Sequence, residues 1–487
     1  MLTQADFQAQ LVANLNDSEV MARYQAGDPI LVQQLQSIAA YFVLLGQEIE
    51  VATIEPFTKT RPRSIIADAT NKGILPVATP CQHMIEVINN AANTVSLSAG
   101  RIIEDSQGGR PWRLLSSITV HSGQTSEVLA EQSSLREITY TVPVAEPFHQ
   151  ASVLVSDGVF LAGITVRDMA LPTANTYRYA PRWMNVAAQD YAVTVTTDSM
   201  QRVFVQFGDD QRVGRTAQTN QKFIFTLIES YGFVDAARLK DAALAEVLNT
   251  DEQRVRVRFK QGGLVRAGAD PLTVSELKLL SSYPALYDEN AVFLGNFDYL
   301  ARSKFMKRTN YLTVWNETIQ ERMYGVTWQD INHLHLAVVA KTPAEQATIE
   351  NDIRQLIGRA DSLFDGRIKV RAVVERPYHL TVTGKLAGVY DIDTVKNQIR
   401  NLLTAAYGKG TLAASRWLAD GINTQEVSTL LRDNITAFQD RMYDFVVTGE
   451  NLLNNPVKPH EWLYLTNASI SVDLSRTADT GGSLWTY

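Results

Sequence analysis

The first 58 residues carry an apolar pattern that is typical of helices. Asp28 stands directly before Pro29, and a carboxylate followed by a proline in the first turn is a favourable helix start. After this start an apolar residue recurs at alternating steps of four and three, which predicts one stripe with the heptad period of a coiled coil. Its members are Leu31, Leu35, Ile38, Phe42, Leu45, Ile49 and Ala52. A shorter helix is predicted before it, from about residue 7 to residue 15.

A single amphipathic helix cannot bury such a stripe by itself. Two interpretations stay open: the stripe packs against the core of its own chain, or it joins helices of other subunits in a bundle. On the second interpretation, the partner-interface residues are Leu31, Leu35, Ile38, Phe42, Leu45 and Ile49.

From about residue 59 to residue 268 the pattern changes to an alternation of apolar and polar residues, which predicts half-buried strands. Strands are predicted at 191–196, 203–207 and 223–227, with turns rich in glycine and aspartate between them. A further strand carries a row of cations on one face. Because no aromatic stacking platform accompanies this row, it is interpreted as a solvated face or a salt-bridge surface for a partner. The row consists of Arg254, Arg256, Arg258 and Lys260.

Helix starts are clear in the last 219 positions. Thr273 with Glu276, and Thr342 with Glu345, have the spacing of a capping box, in which each side chain accepts from a free backbone N–H. Asn423 begins a looser version. Strands at 333–340 and 367–374 flank a helix, and the following predicted elements alternate in the same way. They are a strand at 378–383, a helix around Val395–Leu403, a helix at 424–435, and strands at 440–447 and 462–473.

These patterns predict an α+β multidomain chain with an N-terminal helical segment, β-rich middle domains and C-terminal α/β sandwich domains. The predicted parts are a bundle-forming helical segment at 1–58, a β-rich domain at 59–190, a β domain at 191–268, a short helical linker region at 269–328, and one or more α/β sandwich domains at 329–487.

Composition narrows the function classes. A formal net charge of −7 on 487 residues argues against a nucleic-acid coat. Cys81 is the single cysteine, so neither an intrachain disulfide nor a cysteine zinc site is expected. The longest uninterrupted apolar run, 38–46, is about half of a bilayer span, so no membrane contact is expected. The N-terminus lacks the cationic cluster of a secretory signal, which predicts synthesis in the cytoplasm.

No motif indicates catalytic, metal or cofactor chemistry. Residues 407–411 contain the residue types of a phosphate-binding loop, but not in its order. Cys81 with His83, and His333 with His335, each lack a third partner. The prediction is therefore a protein that is not an enzyme and that holds no metal or cofactor. A carboxylate pair for glycoside cleavage would come from distant positions, so an enzyme without a visible motif stays as an alternative.

Four segments, taken in order, carry a family resemblance. The first segment has a strand, a glycine–acid turn and a second strand, and the second segment has a pair of short helices. The third segment is extended and leads into a helix that begins at an aspartate, and the fourth segment is a terminal strand. Their positions are 203–214 with 223–232, 270–280 with Val292 and 296–299, 370–407, and 462–473. In this order they resemble the baseplate J-like family, which includes the large wedge subunit of the T-even phages. Residues 60–190 carry no such resemblance.

The resemblance implies a structural subunit of a contractile tail baseplate, located in the virion. The expected partners are a second copy of the chain, another baseplate wedge subunit, neighbouring wedges, and the sheath-initiator and hub proteins, with no nucleic acid and no membrane. It also implies a part in the rearrangement on host contact that triggers sheath contraction. Two alternatives remain: a tail-associated receptor-binding or glycan-degrading protein, and a wedge protein of a type VI secretion-like injection system.

Overall fold

The computed structural model describes residues 3–58, 60–169, 174–198, 200, 202–282, 297–439 and 444–476. The chain divides into two compact units, Met1–Asp68 and Ala69–Tyr487. Helices and β-sheets both contribute to the described part, so the predicted α+β class is confirmed at this level.

The first unit is helical. Asp28 Oδ1 accepts hydrogen bonds from the N–H groups of Ile30 and Leu31, at 3.0 and 3.4 Å, which confirms the predicted helix start. The earlier predicted helix is also present, and a further helix between the two was not predicted. The helices are α1 (Gln4–Ala13), α2 (Ser18–Gln25), α3 (Pro29–Thr58) and α4 (Pro62–Asn71), the last of which runs past the end of the unit.

The second unit begins with a β-rich region. Its strands are β1 (Gln82–Asn89), β2 (Val95–Leu97), β3 (Ile102–Asp105), β4 (Pro111–Leu114), β5 (Ile118–Val120), β6 (Thr125–Glu131), β7 (Ser134–Thr141), β8 (Gln150–Leu154), β9 (Phe160–Asp168), β10 (Thr176–Tyr179), β11 (Ala192–Thr197), β12 (Arg202–Gln206), β13 (Lys222–Ser230), β14 (Asp241–Leu244) and β15 (Val255–Arg266).

Six of these strands close a barrel in the order β1-β15-β14-β3-β4-β6, and seven form a sheet in the order β7-β13-β9-β10-β11-β12-β8. The barrel takes strands from both ends of the region, so the seven-stranded sheet is inserted between β6 and β14. The predicted boundary at residue 190 falls inside this sheet, because β10 and β11 pair in parallel through Arg178 and Ala192. A local pattern carries no information about which distant strands pair.

The barrel neutralises part of its own cationic row. Arg258 pairs with Glu86 at 2.5 Å, and Lys260 pairs with Glu127 at 2.7 Å. Glu86 lies on β1, which pairs with β15, and Glu127 lies on β6, the strand on the other side of β1. For these two cations the salt bridges are therefore intramolecular, and the predicted partner surface is not needed to explain them.

The C-terminal part combines helices and small sheets. Its helices are α5 (Val274–Ser282), α6 (Phe297–Phe305), α7 (Glu317–Tyr324), α8 (Gln346–Ala360), α9 (Ile392–Tyr407) and α10 (Thr424–Asn434). Its strands are β16 (Thr309–Trp315), β17 (Leu334–Ala340), β18 (Ile368–Val370), β19 (Val374–Pro377), β20 (Leu380–Leu386), β21 (Asp444–Gly449), β22 (Glu461–Tyr464) and β23 (Ile470–Arg476).

The C-terminal part contains two units in which helices pack on a sheet. In the first sandwich, the sheet β16-β17-β18 shares an apolar core with α6 and α8. In the second sandwich, the sheet β21-β20-β23 shares an apolar core with α9 and α10. The region 269–328, predicted as a linker, instead supplies β16 and α6 to the first sandwich. The predicted strand at 462–473 is divided into β22 and β23, and β22 pairs with β19 rather than with β20.

The two predicted capping boxes have different outcomes. At α5, Thr273 N–H donates to Glu276 at 2.7 Å, and Glu276 N–H donates to the threonine hydroxyl at 3.3 Å, so this box is confirmed. The box at Thr342 is wrong, because its hydroxyl caps nothing. Glu345 is buried and turns away: its Oε1 accepts from Ala267 N–H at 2.7 Å and pairs with Arg308. A tertiary ion pair thus replaces the local cap.

This contrast predicts the effects of two matched substitutions. We expect Thr273→Ala to lower the free energy of unfolding by about 1 kcal/mol, since it removes an N-cap. Thr342→Ala should change it by much less, because no cap bond is lost. Urea unfolding followed by circular dichroism measures both. Equal losses in the two variants would contradict the assignment.

His335 lies on β17 and is fully buried, as are its neighbours Leu334 and Leu336. Its ring stacks on Trp315 with a centroid distance of 5.5 Å, and its Nε2 lies 3.6 Å from Asp330. Burial lowers the pKa of His335 to about 4, against the opposing effect of Asp330. The ring of His333 does not join it, because its Nδ1 donates to the Ile331 carbonyl at 2.8 Å instead.

The lowered pKa of His335 predicts acid sensitivity. The unfolded chain binds a proton near pH 6.5 and the folded chain only near pH 4, so stability is lost as the pH falls between these values. The loss attributable to this group is about 3 kcal/mol. We expect His335→Phe, which keeps a ring against Trp315, to weaken this pH dependence in urea unfolding. An unchanged slope between the two proteins would show that other groups cause it.

Candidate interaction surface

Helix α1 packs along one side of α3. The rings of Phe7 and Phe42 stack with centroids 5.9 Å apart and an interplanar angle of 20°. The Gln4 side-chain amide donates to the carbonyl of Gln36 at 3.2 Å. Leu35, a member of the predicted stripe, is buried.

The predicted partner-interface residues are therefore not equivalent. Leu35 is buried and Leu31 is half-buried, whereas Ile38, Leu45 and Ile49 are 44%, 44% and 59% exposed. Phe42 is 38% exposed and already has Phe7 as a neighbour. The stripe thus has a side that α1 covers and a side that stays open.

The open side is wider than the heptad pattern predicts. At about 100° per residue, Tyr41 lies about 40° beyond Leu45 and about 60° beyond Ile38, on the side away from Leu35. Tyr41 is 67% exposed, and it was missed because its position falls outside the 4–3 spacing. Further exposed apolar residues on α3 are Ile30, Leu44, Val51 and Ile54. We call Ile38, Tyr41, Leu45 and Ile49 the open stripe.

Charged groups fix both ends of α3. At the start, hydrogen bonds from Arg23 and from the backbone lower the pKa of Asp28. At the end, hydrogen bonds from the Thr60 hydroxyl and the Arg61 N–H lower the pKa of Glu55, against the opposing effect of burial. Arg61 also pairs with Glu48 at 2.9 Å. The apolar surface therefore belongs to a helix whose limits are set by specific contacts.

By length and composition, α3 could also cross a membrane. The segment Pro29–Glu55 has a mean hydropathy of 1.4, which corrects the expectation that was based on the uninterrupted run 38–46 alone. However, Gln33, Gln34, Gln36 and Glu48 lie within this segment. Buried in hydrocarbon, these polar side chains would be costly, whereas a helical partner can hydrogen-bond to them. The polar positions therefore argue against a membrane-spanning role for α3.

A second exposed apolar patch lies in the loop after α7. Trp328 is 79% exposed, and Val326 and Ile331 beside it are exposed as well. Two hydrogen bonds to the buried Asp330 fix this loop. The Asp330 carboxylate accepts from the Lys369 ammonium at 2.9 Å and from the Gln320 amide at 3.2 Å. An exposed tryptophan on a fixed loop is typical of a contact site. No periodicity marks this loop, so the sequence pattern does not predict it.

The weak chemical candidates are not assembled into a site. Cys81 is buried, and burial raises its pKa to about 11, which makes it a poor nucleophile. Lys409, in the segment compared with a phosphate-binding loop, pairs with Glu375 at 2.5 Å and lies over the Trp462 ring. Within the described ranges, no group of three or more acidic, histidine or cysteine side chains could hold a metal ion.

No family model matches the chain, and no curated protein matches it.

The open stripe predicts self-association through α3. We expect the double variant Ile38→Asp/Leu45→Asp to weaken association of the purified chain by about 100-fold or more, since two carboxylates would be desolvated at the contact. Sedimentation over a concentration series measures this. Leu453→Asp is the matched control, because Leu453 is 89% exposed and lies far along the chain. A wild-type chain that stays monomeric throughout the series would contradict the prediction.

Proposed function

We propose that this chain is a structural subunit of a contractile phage tail baseplate wedge. In this role it assembles with copies of itself and with other wedge proteins into a ring around the hub. The single observation that carries the proposal is the open stripe of α3, an apolar helix surface that stays exposed among the described residues. The four segments between residues 203 and 473 that resemble the baseplate J-like family, taken in order, are the reason for proposing a baseplate wedge as the assembly.

The open stripe supports an assembly role for a physical reason. Large apolar side chains on a soluble helix are unfavourable in water unless a partner covers them, and each one buried contributes about 1.5–3 kcal/mol. Among the described residues of the first unit, α1 and α2 pack against α3, and α1 takes the Leu35 side. A helix from another subunit is the simplest cover, and a bundle of wedge subunits provides one.

The glycine–acid turn of the first resembling segment has a structural purpose. It connects β12 to β13, and a Cβ at Gly208 would lie 2.2 Å from the Val213 carbonyl oxygen. Asp209 N–H donates to that carbonyl at 2.7 Å. The motif thus requires glycine for close backbone approach rather than for chemistry.

The other resembling segments fall on defined elements. Residues 270–280 enter α5, 370–407 run from β18 to the end of α9, and 462–473 cover β22 and most of β23. Val292 and residue 296 lie outside the described residues. The order of these elements along the chain supports the wedge proposal.

The proposed partners are a second copy of the chain, another wedge subunit, neighbouring wedges, and the sheath-initiator and hub proteins. The chain is made in the host cytoplasm and resides in the virion baseplate. Baseplates rearrange on host contact, so the contacts of the chain have to exchange between two arrangements. The exposed Trp328 loop is a second surface that such contacts can use.

A receptor-binding or glycan-degrading protein is the second candidate, and one cavity favours it. This cavity, of about 750 Å³, lies in the second sandwich. Its lining combines aromatic rings with carboxylates, a composition suited to sugar rings and hydroxyl groups. The residues concerned are Tyr378, Tyr407, Trp417, Asp420, Glu426 and Glu450. A wedge protein of a type VI secretion-like injection system is the third candidate and differs in its biological setting.

Phage assembly tests the proposal. We expect Ile38→Asp/Leu45→Asp in the producing phage to leave tails without complete baseplates, with infectious yield reduced by at least about 100-fold. Negative-stain electron microscopy of the lysate counts complete baseplates, and Leu453→Asp should assemble normally. A tagged chain found on peripheral fibres, or purified chain that degrades host-surface glycan, would overturn the wedge proposal in favour of the second candidate.

A further inference from the structure

A smaller cavity, of about 280 Å³, lies where the barrel meets the first sandwich. Its wall is formed by the segment that follows β15, by the start of α5, and by the turns that carry Lys307, Arg308 and Lys341. Neither the open stripe nor the proposed assembly uses this cavity.

The carboxylates in the wall are already engaged. Asp270 accepts from Phe233 N–H at 2.9 Å, and Glu276 accepts from Thr273 N–H at 2.7 Å. The third, Glu345, is buried against Arg308 as described above. Their oxygens are therefore largely occupied by protein donors.

The cations in the wall are less well satisfied. Lys307 Nζ donates to one backbone carbonyl, that of Val77, and burial lowers the pKa of Lys307 to about 8 although Glu276 opposes this. Arg308 is buried, and its Nε finds no acceptor among the described residues. Lys341 is exposed and lines the same cavity. The three cations of the wall match its three carboxylates in number, but the carboxylates are engaged, so donors of Lys307 and Arg308 are left without acceptors among the described residues.

We propose that this cavity binds a small oxyanion, a phosphate or a carboxylate group, held by Lys307 and Lys341 beside the guanidinium of Arg308. Hydrogen bonds between charged groups are stronger than those between neutral groups, so such a ligand would supply the acceptors that the wall lacks. It would also compensate the desolvated ammonium of Lys307. Because the wall comes from both parts, the bound ligand would link the end of the barrel to the first sandwich.

Thermal unfolding of the full chain tests the proposal with inorganic phosphate and acetate as probes, each compared with chloride at equal ionic strength. We expect the preferred anion to raise the Tm by about 2 °C at about tenfold excess over its Kd. Phosphate also stabilises proteins non-specifically by exclusion from their surface. The readout is therefore the difference between the wild type and Lys307→Gln, in which most of the rise should be lost.

Lys278→Gln is the matched control, because Lys278 lies exposed on α5 and does not line the cavity. It should keep the full rise. A larger effect of phosphate identifies a phosphate site, and a larger effect of acetate identifies a carboxylate site. An equal rise in wild type and Lys307→Gln, or no rise with either anion, would overturn the proposal.

A measurement on the wild type alone covers the case in which Lys307→Gln does not fold. The amine of Lys307 should be acetylated more slowly by acetic anhydride when the preferred anion is present, since the ligand occupies the cavity. Peptide mass spectrometry follows Lys307 and Lys278 in the same sample. We expect at least about threefold protection of Lys307 at tenfold excess of ligand over Kd, with Lys278 unchanged. Equal rates at Lys307 with and without anion would exclude the site.

Discussion

The pairing of β1 with β15 is the constraint on which the architecture of the second unit depends. These strands are separated by more than 160 positions, yet they pair antiparallel from Asn89 with Val255 to Gln82 with Arg266. Closing the barrel in this way forces the seven-stranded sheet to be an insertion between β6 and β14. It also fixes where the chain leaves the barrel, because the residues directly after Arg266 must meet the first sandwich.

Glu345 connects the end of the barrel to the first sandwich. Its carboxylate accepts from the N–H of Ala267, one residue after β15, while it pairs with Arg308 at the entry to β16. One buried side chain thus contacts the end of the barrel and the start of the first sandwich. Removing the acid would leave the Arg308 charge buried without its partner, a change that is typically more destabilising than the pair is stabilising. The cavity proposed for an oxyanion lies beside this same junction.

The sequence predicts those features that depend on contacts between residues close together in the chain. The starts of α3, α5 and α10 depend on Asp28, Thr273 and Asn423, whose side chains bond to N–H groups within three residues, and all three were predictable. The Thr342 box has the same spacing but fails, because a buried arginine 37 positions away binds its glutamate instead. The barrel and the inserted sheet were not predictable, since alternation identifies a strand but not its partner.

The candidate surface was predicted in kind but not in detail. Heptad spacing located an apolar helix surface, and only the packing of α1 reveals which side of it is occupied. The open side has its own steps of four and three through Gln34, Ile38, Tyr41, Leu45 and Glu48. Polar residues at such positions in a coiled coil reduce stability but specify register and partner. Because Glu48 already pairs with Arg61, a partner helix that covered this side would have to match Gln34 and accommodate that ion pair. An interface of this kind is selective without being maximally tight, which suits the exchange of contacts that the proposed baseplate role requires.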